Sequence, residues 1–274
     1  STGSVSGTGS VGGLAGSSSG NISNCYATGE VSVSDWSNYQ GGLVGSNNGS
    51  ISNCYATGAV SGNAEEAGGL VGYNENGSII DCYATGAVSG SSYVGGLVGL
   101  TYSGIINNCY STGAVSGNYW IGGLVGFNEG GSISDCYSIG GVGGGWGYYI
   151  GGLVGGNGGS ISNCYSTGLV SGSGNFGGLV QSNSGSVSSS FWDTQTSGQT
   201  NSDGGTGKTT AEMKTLSTFT LAGWDFVDMW GIGNGQTYPY LKPFNGINPA
   251  DLNYDGTVDF DDFAILAANW LSGE

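Results

Sequence analysis

The chain has 274 residues, of which sixty are glycine, and it combines 19 carboxylates with three lysines, no arginine and no histidine, for a formal net charge of −16. Three cations cannot neutralise a row of phosphates, so the composition argues against nucleic-acid binding. Without histidine the chain has no Ser-His-Asp or Cys-His centre. No apolar run reaches the roughly 20 residues of a membrane-spanning helix. We expect neither enzymatic activity nor membrane insertion.

A repeat of 26 to 29 residues organises most of the chain. Gly-Gly-Leu recurs with its first glycine at positions 12, 41, 68, 95, 122, 151 and 177. Six cysteines recur in step, at Cys25, Cys54, Cys82, Cys109, Cys136 and Cys164. A fixed period of this length is typical of solenoids, and Gly/Asn/Ser turns between Val- and Thr-rich segments favour short strands. The sequence therefore predicts an all-β fold, a β-solenoid of about seven 27-residue coils with three short strands each, stacked about 4.8 Å apart.

Three columns of apolar residues indicate which side chains face the core. Isoleucine lies three residues before each cysteine, valine lies six residues after it, and leucine ends every Gly-Gly-Leu. Counting in twos back from the valines turns cysteine inward and the following tyrosine outward. The isoleucines have the opposite parity, which predicts a corner at the residue between them, at Asn24, Asn53, Asn108 and Asn163. Asp81 and Asp135 replace this asparagine, and we expect them to be Asn-like turn residues; a pair of hydrolase carboxylates is the alternative.

Beyond the repeat, the sequence predicts a cap and an acidic C-terminal segment. Thr194 to Thr210 is interpreted as a polar linker, and the apolar segments 224–230 and 238–241 are predicted to form a hairpin-like cap on the last coil. The chain begins in mid-coil, so we expect unpaired strand edges there and head-to-tail association with a second copy. The predicted regions are a solenoid at 1–192, a linker and cap at 193–247, and the acidic segment at 248–274.

These repeats resemble a known family. The Gly-Leu-Val-Gly unit, the Asn-Cys-Tyr-Ala-Thr-Gly segment and the later Phe-Trp-Asp-Thr-Gln-Thr-Ser-Gly stretch are similar to GLUG-motif repeat proteins. The resemblance covers about residues 1 to 245 and implies a secreted, extracellular protein at a bacterial cell surface. GLUG repeats also accompany some IgA-peptidase-like proteins, but this sequence has no peptidase zinc motif. The family has no shared chemistry, so the resemblance implies no particular activity.

The acidic segment matches a 12-residue EF-hand calcium loop. Gly256 stands at the sixth position, where such a loop turns sharply. The predicted Ca²⁺ ligands are Asp251, Asn253, Asp255, the Thr257 carbonyl, Asp259 and Asp262. Two prolines upstream argue against an entering helix, and with Asp at position 12 the segment resembles a type I dockerin repeat. That resemblance implies docking to a cohesin-like or cell-wall protein, although dockerins carry two such repeats and this chain has one.

The cysteines allow two interpretations. An even number in a secreted-looking chain favours disulfides between neighbouring coils, such as Cys25–Cys54. Parallel in-register side chains hold their Cβ atoms slightly too far apart for a relaxed disulfide. We therefore favour a buried column of thiols, and disulfides are the alternative.

Aromatic residues form two predicted outer ladders. One consists of the tyrosines that follow the cysteines, together with Phe191. The other precedes the Gly-Gly pairs, is interrupted by Glu66, and consists of Tyr39, Tyr93, Trp120 and Tyr149. Such a stripe suits stacking on sugar rings or on a neighbouring molecule, whereas the structural alternative is that the rings cover the sheet and support one another.

The sequence thus favours an extracellular structural or adhesive β-solenoid that assembles head to tail and docks through a calcium-stabilised C-terminal segment. The alternative is a polysaccharide-binding module tethered through the dockerin-like segment to a polysaccharide-degrading complex.

Overall fold

The computed structural model describes residues 1–33, 38–145 and 149–242. It is a parallel β-solenoid of seven coils, which confirms the predicted fold class. Each coil contributes a strand to each of five parallel sheets, so the prediction of three strands per coil is wrong. The strands are only two to five residues long, because glycine pairs and corner residues interrupt the chain more often than the apolar pattern shows.

The five sheets are numbered here in the order in which one coil meets them. Sheet 1 contains Val5–Gly7, Val31–Val33, Val60–Ser61, Val88–Ser89, Val115–Gly117, Val142–Gly144 and Val170–Gly172. Sheet 2 contains Val11–Gly12, Tyr39–Gly41, Glu66–Gly68, Tyr93–Gly95, Ile121–Gly122, Tyr149–Gly151 and Asn175–Gly177. Sheet 3 contains Ala15–Ser18, Val44–Asn47, Val71–Glu75, Val98–Tyr102, Val125–Glu129, Val154–Asn157 and Val180–Asn183.

The other two sheets complete the coil. Sheet 4 contains Asn21–Ser23, Ser50–Ser52, Ser78–Ile80, Ile105–Asn107, Ser132–Ser134, Ser160–Ser162 and Ser186–Ser188. Sheet 5 contains Tyr26–Ala27, Tyr55–Ala56, Tyr83–Ala84, Tyr110–Ser111, Tyr137–Ser138, Tyr165–Ser166, Phe191–Asp193 and Thr206–Lys208. Pairing keeps equivalent residues opposite each other, as in Ile51 to Ile79 and Val60 to Val88.

Two apolar cores run along the solenoid. The leucine, isoleucine and cysteine columns fill the larger core. The valine column of sheet 1 packs in the smaller core against inward residues of sheet 2, such as Ala67, Val94 and Ile121. The predicted columns are therefore confirmed. The predicted valine column lies in a core separate from that of the leucines, isoleucines and cysteines.

The corner prediction is also confirmed. The residue before each cysteine adopts a left-handed conformation with φ between 52° and 55°, at Asn24, Asn53, Asp81, Asn108, Asp135 and Asn163. Asparagine and aspartate tolerate this region better than other non-glycine residues. The Asp81 Oδ1 atom accepts a 2.6 Å hydrogen bond from Asn108 Nδ2, so the aspartate acts as an Asn-like turn residue.

A ladder of buried amides follows sheet 3 from coil to coil. Asn47 Nδ2 donates to Asn74 Oδ1 over 2.8 Å, and Asn128 Nδ2 donates to Asn157 Oδ1 over 2.7 Å. Thr101 interrupts the ladder: its Oγ1 accepts from Asn74, but Asn128 Oδ1 is buried without a hydrogen-bond partner. The threonine thus leaves one amide oxygen unsatisfied.

Replacing Thr101 with asparagine should stabilise the protein. The new amide Nδ2 would donate to Asn128 Oδ1 and its oxygen would accept from Asn74, because the three residues pair in register. We expect a gain of about 1 kcal/mol in the free energy of unfolding, measured by chemical denaturation. The Thr101→Val control removes the acceptor of Asn74 and should destabilise the protein. Equal stabilities of Thr101→Asn and wild type would contradict the interpretation that Thr101 leaves Asn128 Oδ1 unsatisfied.

Residues 193–242 form a cap with short elements. Helices α1 (Thr194–Ser197), α2 (Thr210–Met213) and α3 (Leu216–Thr220) precede the antiparallel pair Trp230–Gly231 and Tyr240–Leu241. This pair confirms the hairpin-like prediction. The interpretation of 194–210 as a linker is wrong, because this segment forms α1 and adds the eighth strand of sheet 5.

The cap covers the side and the end of the last coils. Tyr165 and Phe191 of sheet 5 share an apolar cluster with Phe219, Trp224 and Trp230. At the end of the last coil, the backbone N–H of Gly178 donates to the Asn201 carbonyl, and the backbone N–H of Asp203 donates to the Val180 carbonyl. None of the helices among the described residues is long and apolar enough to span a membrane.

Candidate ligand-binding ridge

The predicted calcium ligands lie outside the described residues: Asp251, Asn253, Asp255, Thr257, Asp259 and Asp262. Within residues 1–33, 38–145 and 149–242, no cluster of three or more Cys, Asp or Glu side chains could hold a metal ion.

The six cysteines stack as free thiols on the inner side of the coil. Five are fully buried, and each of these donates its Sγ–H to the carbonyl two residues earlier, as Cys82 does to Ile80 over 3.1 Å. Burial raises the pKa of the Cys82 and Cys136 thiols above the usual range. The column packs in the larger core as small apolar side chains do.

The ladder of tyrosines after the cysteines is a structural stack. Its rings lie nearly parallel, with centroids 4.9 to 5.1 Å apart from Tyr26 to Tyr165. At its C-terminal end the stack passes under the cap, where Tyr165 is 1 % exposed and its hydroxyl donates to the Pro239 carbonyl. In this ladder the rings therefore stabilise one another by stacking, and the last ring, Tyr165, attaches the cap.

The second set of aromatics forms a half-exposed patch along sheets 2 and 3, which we call the aromatic ridge: Tyr39, Tyr73, Tyr93, Trp120, Phe127 and Tyr149. Tyr73 and Phe127 belong to sheet 3 and were not predicted. They stand two residues after Val71 and Val125, where other coils carry serine, leucine or glycine. Strict alternation would turn this position inward with the valine, so the sequence carried no signal for these two rings, which the structure leaves partly exposed.

The rings of the ridge interlock across coils. Tyr39 stacks on Tyr73 with centroids 4.9 Å apart, and Trp120 stacks on Tyr149 at 3.9 Å with an interplanar angle of 6°. Phe127 packs edge-on against Trp120 and against Tyr93. The contacts thus form two groups, Tyr39 with Tyr73 and Tyr93 with Phe127, Trp120 and Tyr149, and Glu66 lies between them in the register of sheet 2.

Trp120 adopts an unusual backbone conformation at the centre of the ridge. Its φ is 47°, in the left-handed region that a bulky residue rarely occupies. The indole lies over Gly156 of the next coil, where a Cβ atom would overlap the ring. Strained residues that the surroundings hold in place cluster at binding sites. Because Gly156 has no side chain, the indole of Trp120 fits over it. With the left-handed backbone of Trp120, this leaves the indole flat against Tyr149.

Acidic side chains surround the ridge. Glu66 lies between Tyr39 and Tyr93 in the register of sheet 2. It is 8 % exposed, and its Oε2 atom is buried without a hydrogen-bond partner in the described part of the chain. Glu75 and Glu129 follow the ridge residues of sheet 3.

Burial and the neighbouring carboxylates raise the pKa values of Glu66 and Tyr73. Burial, reinforced by the negative charge of Glu65, raises the pKa of Glu66 to about 7. Burial, followed by the charge of Glu75, raises the pKa of Tyr73 to about 12. The ridge is thus an aromatic surface with a strong excess of negative charge.

The buried carboxyl of Glu66 should make stability depend on pH. Its folded pKa of about 7 exceeds the usual 4.5, so its contribution is fully present below pH 4.5 and is lost as the pH rises through 7. We expect Glu66→Gln to match wild type near pH 4.5 and to be more stable by about 1–3 kcal/mol near pH 8. Urea denaturation across this pH range measures the difference. The same change at the exposed Glu30 is the control, and parallel profiles for wild type and Glu66→Gln would contradict the prediction.

Comparison with solved structures finds a crystal structure of a putative immunoglobulin A1 protease from Bacteroides ovatus, with 21 % sequence identity and a TM-score of 0.44. The match covers 81 % of this chain and 74 % of that one. No curated protein sequence matches. The model of the GLUG motif matches six segments, at residues 7–33, 37–61, 63–89, 90–116, 117–143 and 147–171. These segments span more than half of the chain, which therefore belongs to the GLUG motif family.

Proposed function

We propose that the protein is an extracellular adhesive β-solenoid that binds extended polysaccharide along the aromatic ridge. The observation that carries the proposal is the flat, half-exposed pair of Trp120 and Tyr149, which continues through Phe127 to Tyr93. Aromatic faces suit the apolar faces of sugar rings, and neighbouring carboxylates accept hydrogen bonds from hydroxyl groups. A row of rings on a stiff parallel stack of strands is pre-organised for a linear ligand.

Removal of the indole tests this proposal. Polysaccharides retained by the wild-type protein in affinity electrophoresis should bind Trp120→Ala at least about tenfold more weakly, because aromatic anchors dominate such contacts. The matched control is Tyr55→Ala, which removes a ring from the sheet 5 stack instead. Equal weakening by both variants, or no binding of any neutral, anionic or cationic polysaccharide by wild type, would contradict the proposal.

Docking through calcium is a separate part of the proposal, and the EF-hand-like pattern of residues 251–262 supports it. In this role the segment tethers the solenoid to a cell-wall protein or to a polysaccharide-degrading complex. Titration with calcium should change the fluorescence of Trp270 in wild type but not in Asp255→Ala. An unchanged signal in wild type at millimolar calcium would contradict a calcium site.

Head-to-tail assembly is the second candidate, because sheets 1 to 4 end at the seventh coil without a further strand among the described residues. Residues 199–203 already occupy backbone groups there, including the Val170 carbonyl, which accepts from Gln199 Nε2. An incoming coil would have to displace this segment. Sedimentation velocity and electron microscopy distinguish the two functions: filaments would support assembly, and monomers that bind polysaccharide would support the ridge.

A further inference from the structure

We infer that the ligand of the ridge is an amino polysaccharide, whose protonated amine pairs with the carboxylate of Glu66. This inference rests on the proposed function and names the substrate class of the same site. Its starting point is the buried Oε2 atom of Glu66, which has no hydrogen-bond partner among the described residues.

The direction of the Glu66 side chain follows from its strand. Ala67 packs in the smaller core, so the alternation of the strand turns Glu66 to the outer face, between Tyr39 and Tyr93. The carboxylate therefore lies within the ridge rather than in a core. A charged oxygen that is removed from water without a hydrogen-bond partner is costly, and a cation bound beside Oε2 would offset that cost.

The surroundings of Glu66 also favour a cation. Tyrosine faces attract ammonium groups through their π-electrons, and Tyr39, Tyr73 and Tyr93 surround this position. Glu65 adds a second negative charge next to Glu66 in the chain, and Glu75 adds a third. The three lysines of the chain, Lys208, Lys214 and Lys242, all lie in the cap and not in the ridge coils.

These charges discriminate between classes of polysaccharide. An anionic chain of uronic acids or sulfated sugars would be repelled by the ridge and by the net charge of −16. A neutral chain could stack on Trp120 and Tyr149 but would leave Glu66 without a counter-ion. A chain with free amines satisfies both the rings and the carboxylate.

The test compares two oligosaccharides with the same sugar ring, linkage and length: the hexamer of glucosamine and the hexamer of N-acetylglucosamine. Isothermal titration near pH 7 and about 50 mM salt should show at least tenfold tighter binding of the glucosamine hexamer to wild type. Glu66→Gln should reduce this preference to threefold or less. The control Glu30→Gln removes an equal charge from an exposed position and should keep the preference.

The outcomes separate this inference from the proposed function. Equal affinity of wild type for the two hexamers, or a preference that survives in Glu66→Gln, overturns the amine specificity and leaves polysaccharide binding intact. Binding of poly-lysine without binding of the glucosamine hexamer also overturns it, in favour of a basic protein partner. If no polysaccharide of any charge binds, the proposed function fails and the inference fails with it.

Discussion

Gly95→Ala should unfold the central coils of the solenoid. A Cβ atom at Gly95 would overlap the carbonyl oxygen of Val98 in its own coil and would lie 2.8 Å from Gly126 N and from Leu124 O of the next coil. All three are backbone atoms of paired strands, so no flexible side chain can move to make room. We expect a loss of more than about 3 kcal/mol in the free energy of unfolding, in the range of severe steric substitutions.

Thermal and urea unfolding followed by circular dichroism measure this effect. The matched control is Gly145→Ala, since a Cβ atom at Gly145 would have no atom of the described residues within 4 Å. The control should stay within about 0.5 kcal/mol of wild type, as surface substitutions usually do. If the free energies of unfolding of Gly95→Ala and of the control differ by less than about 1 kcal/mol, the close approach of backbone atoms at Gly95 cannot be the reason for the Gly-Gly repeat.

Asp193→Ala should release the cap from the solenoid. The Asp193 carboxylate is fully buried and accepts hydrogen bonds from the backbone N–H of Gln195 and Thr196, from Thr210 Oγ1 and from the Tyr238 hydroxyl, at 2.7 to 3.1 Å. It therefore connects sheet 5, α1, α2 and the segment before the last strand. Loss of this buried acceptor leaves several donors unpaired, so we expect a cost of about 3 kcal/mol or more.

The effect should appear in the cap and should depend on pH. Burial alone would raise the pKa of Asp193, but the hydrogen bonds from Thr210 and Tyr238 outweigh burial and lower it. The stabilisation is therefore present above the unfolded pKa and is lost as the pH falls through the folded pKa. Tryptophan fluorescence should report an opened cap at neutral pH in the variant, while far-ultraviolet circular dichroism keeps the solenoid signal.

Asp228→Ala is the control for the second prediction, because Asp228 is an exposed carboxylate of the same cap. Its fluorescence and its sensitivity to limited proteolysis should match those of wild type. A native cap fluorescence in Asp193→Ala would show that the cap is held by its apolar cluster alone.

The repeat made much of the fold predictable. Identical residues at the same position in every coil face the same environment, so the inward cysteines and the corners at Asn24 and Asn53 followed from spacing and parity. The number of strands did not follow, because two-residue strands depend on hydrogen bonds to neighbouring coils. The cap was predicted only in outline, since the contact of Asp193 with Tyr238 joins residues that no repeat relates.

The ridge was half predictable for a similar reason. Tyr39, Tyr93, Trp120 and Tyr149 share a position before the glycine pair and were found by spacing. Tyr73 and Phe127 occupy a column in which other coils carry serine, leucine or glycine, so no periodic aromatic signal marked them. The importance of Glu66 depends on its burial between rings, and no sequence pattern specifies that burial.

The strict register of the coils makes the length of the ridge adjustable in whole units. In the protein Val88 pairs with Val115, and Val115 pairs with Val142. Removal of residues 90–116, one complete repeat, would take out Val115 and bring Val88 opposite Val142, so each column would remain continuous. Duplication would likewise add one ring position without disturbing the others. Gain or loss of one repeat at the gene level would therefore lengthen or shorten the outer surface by one coil while the cap and its attachment stay the same.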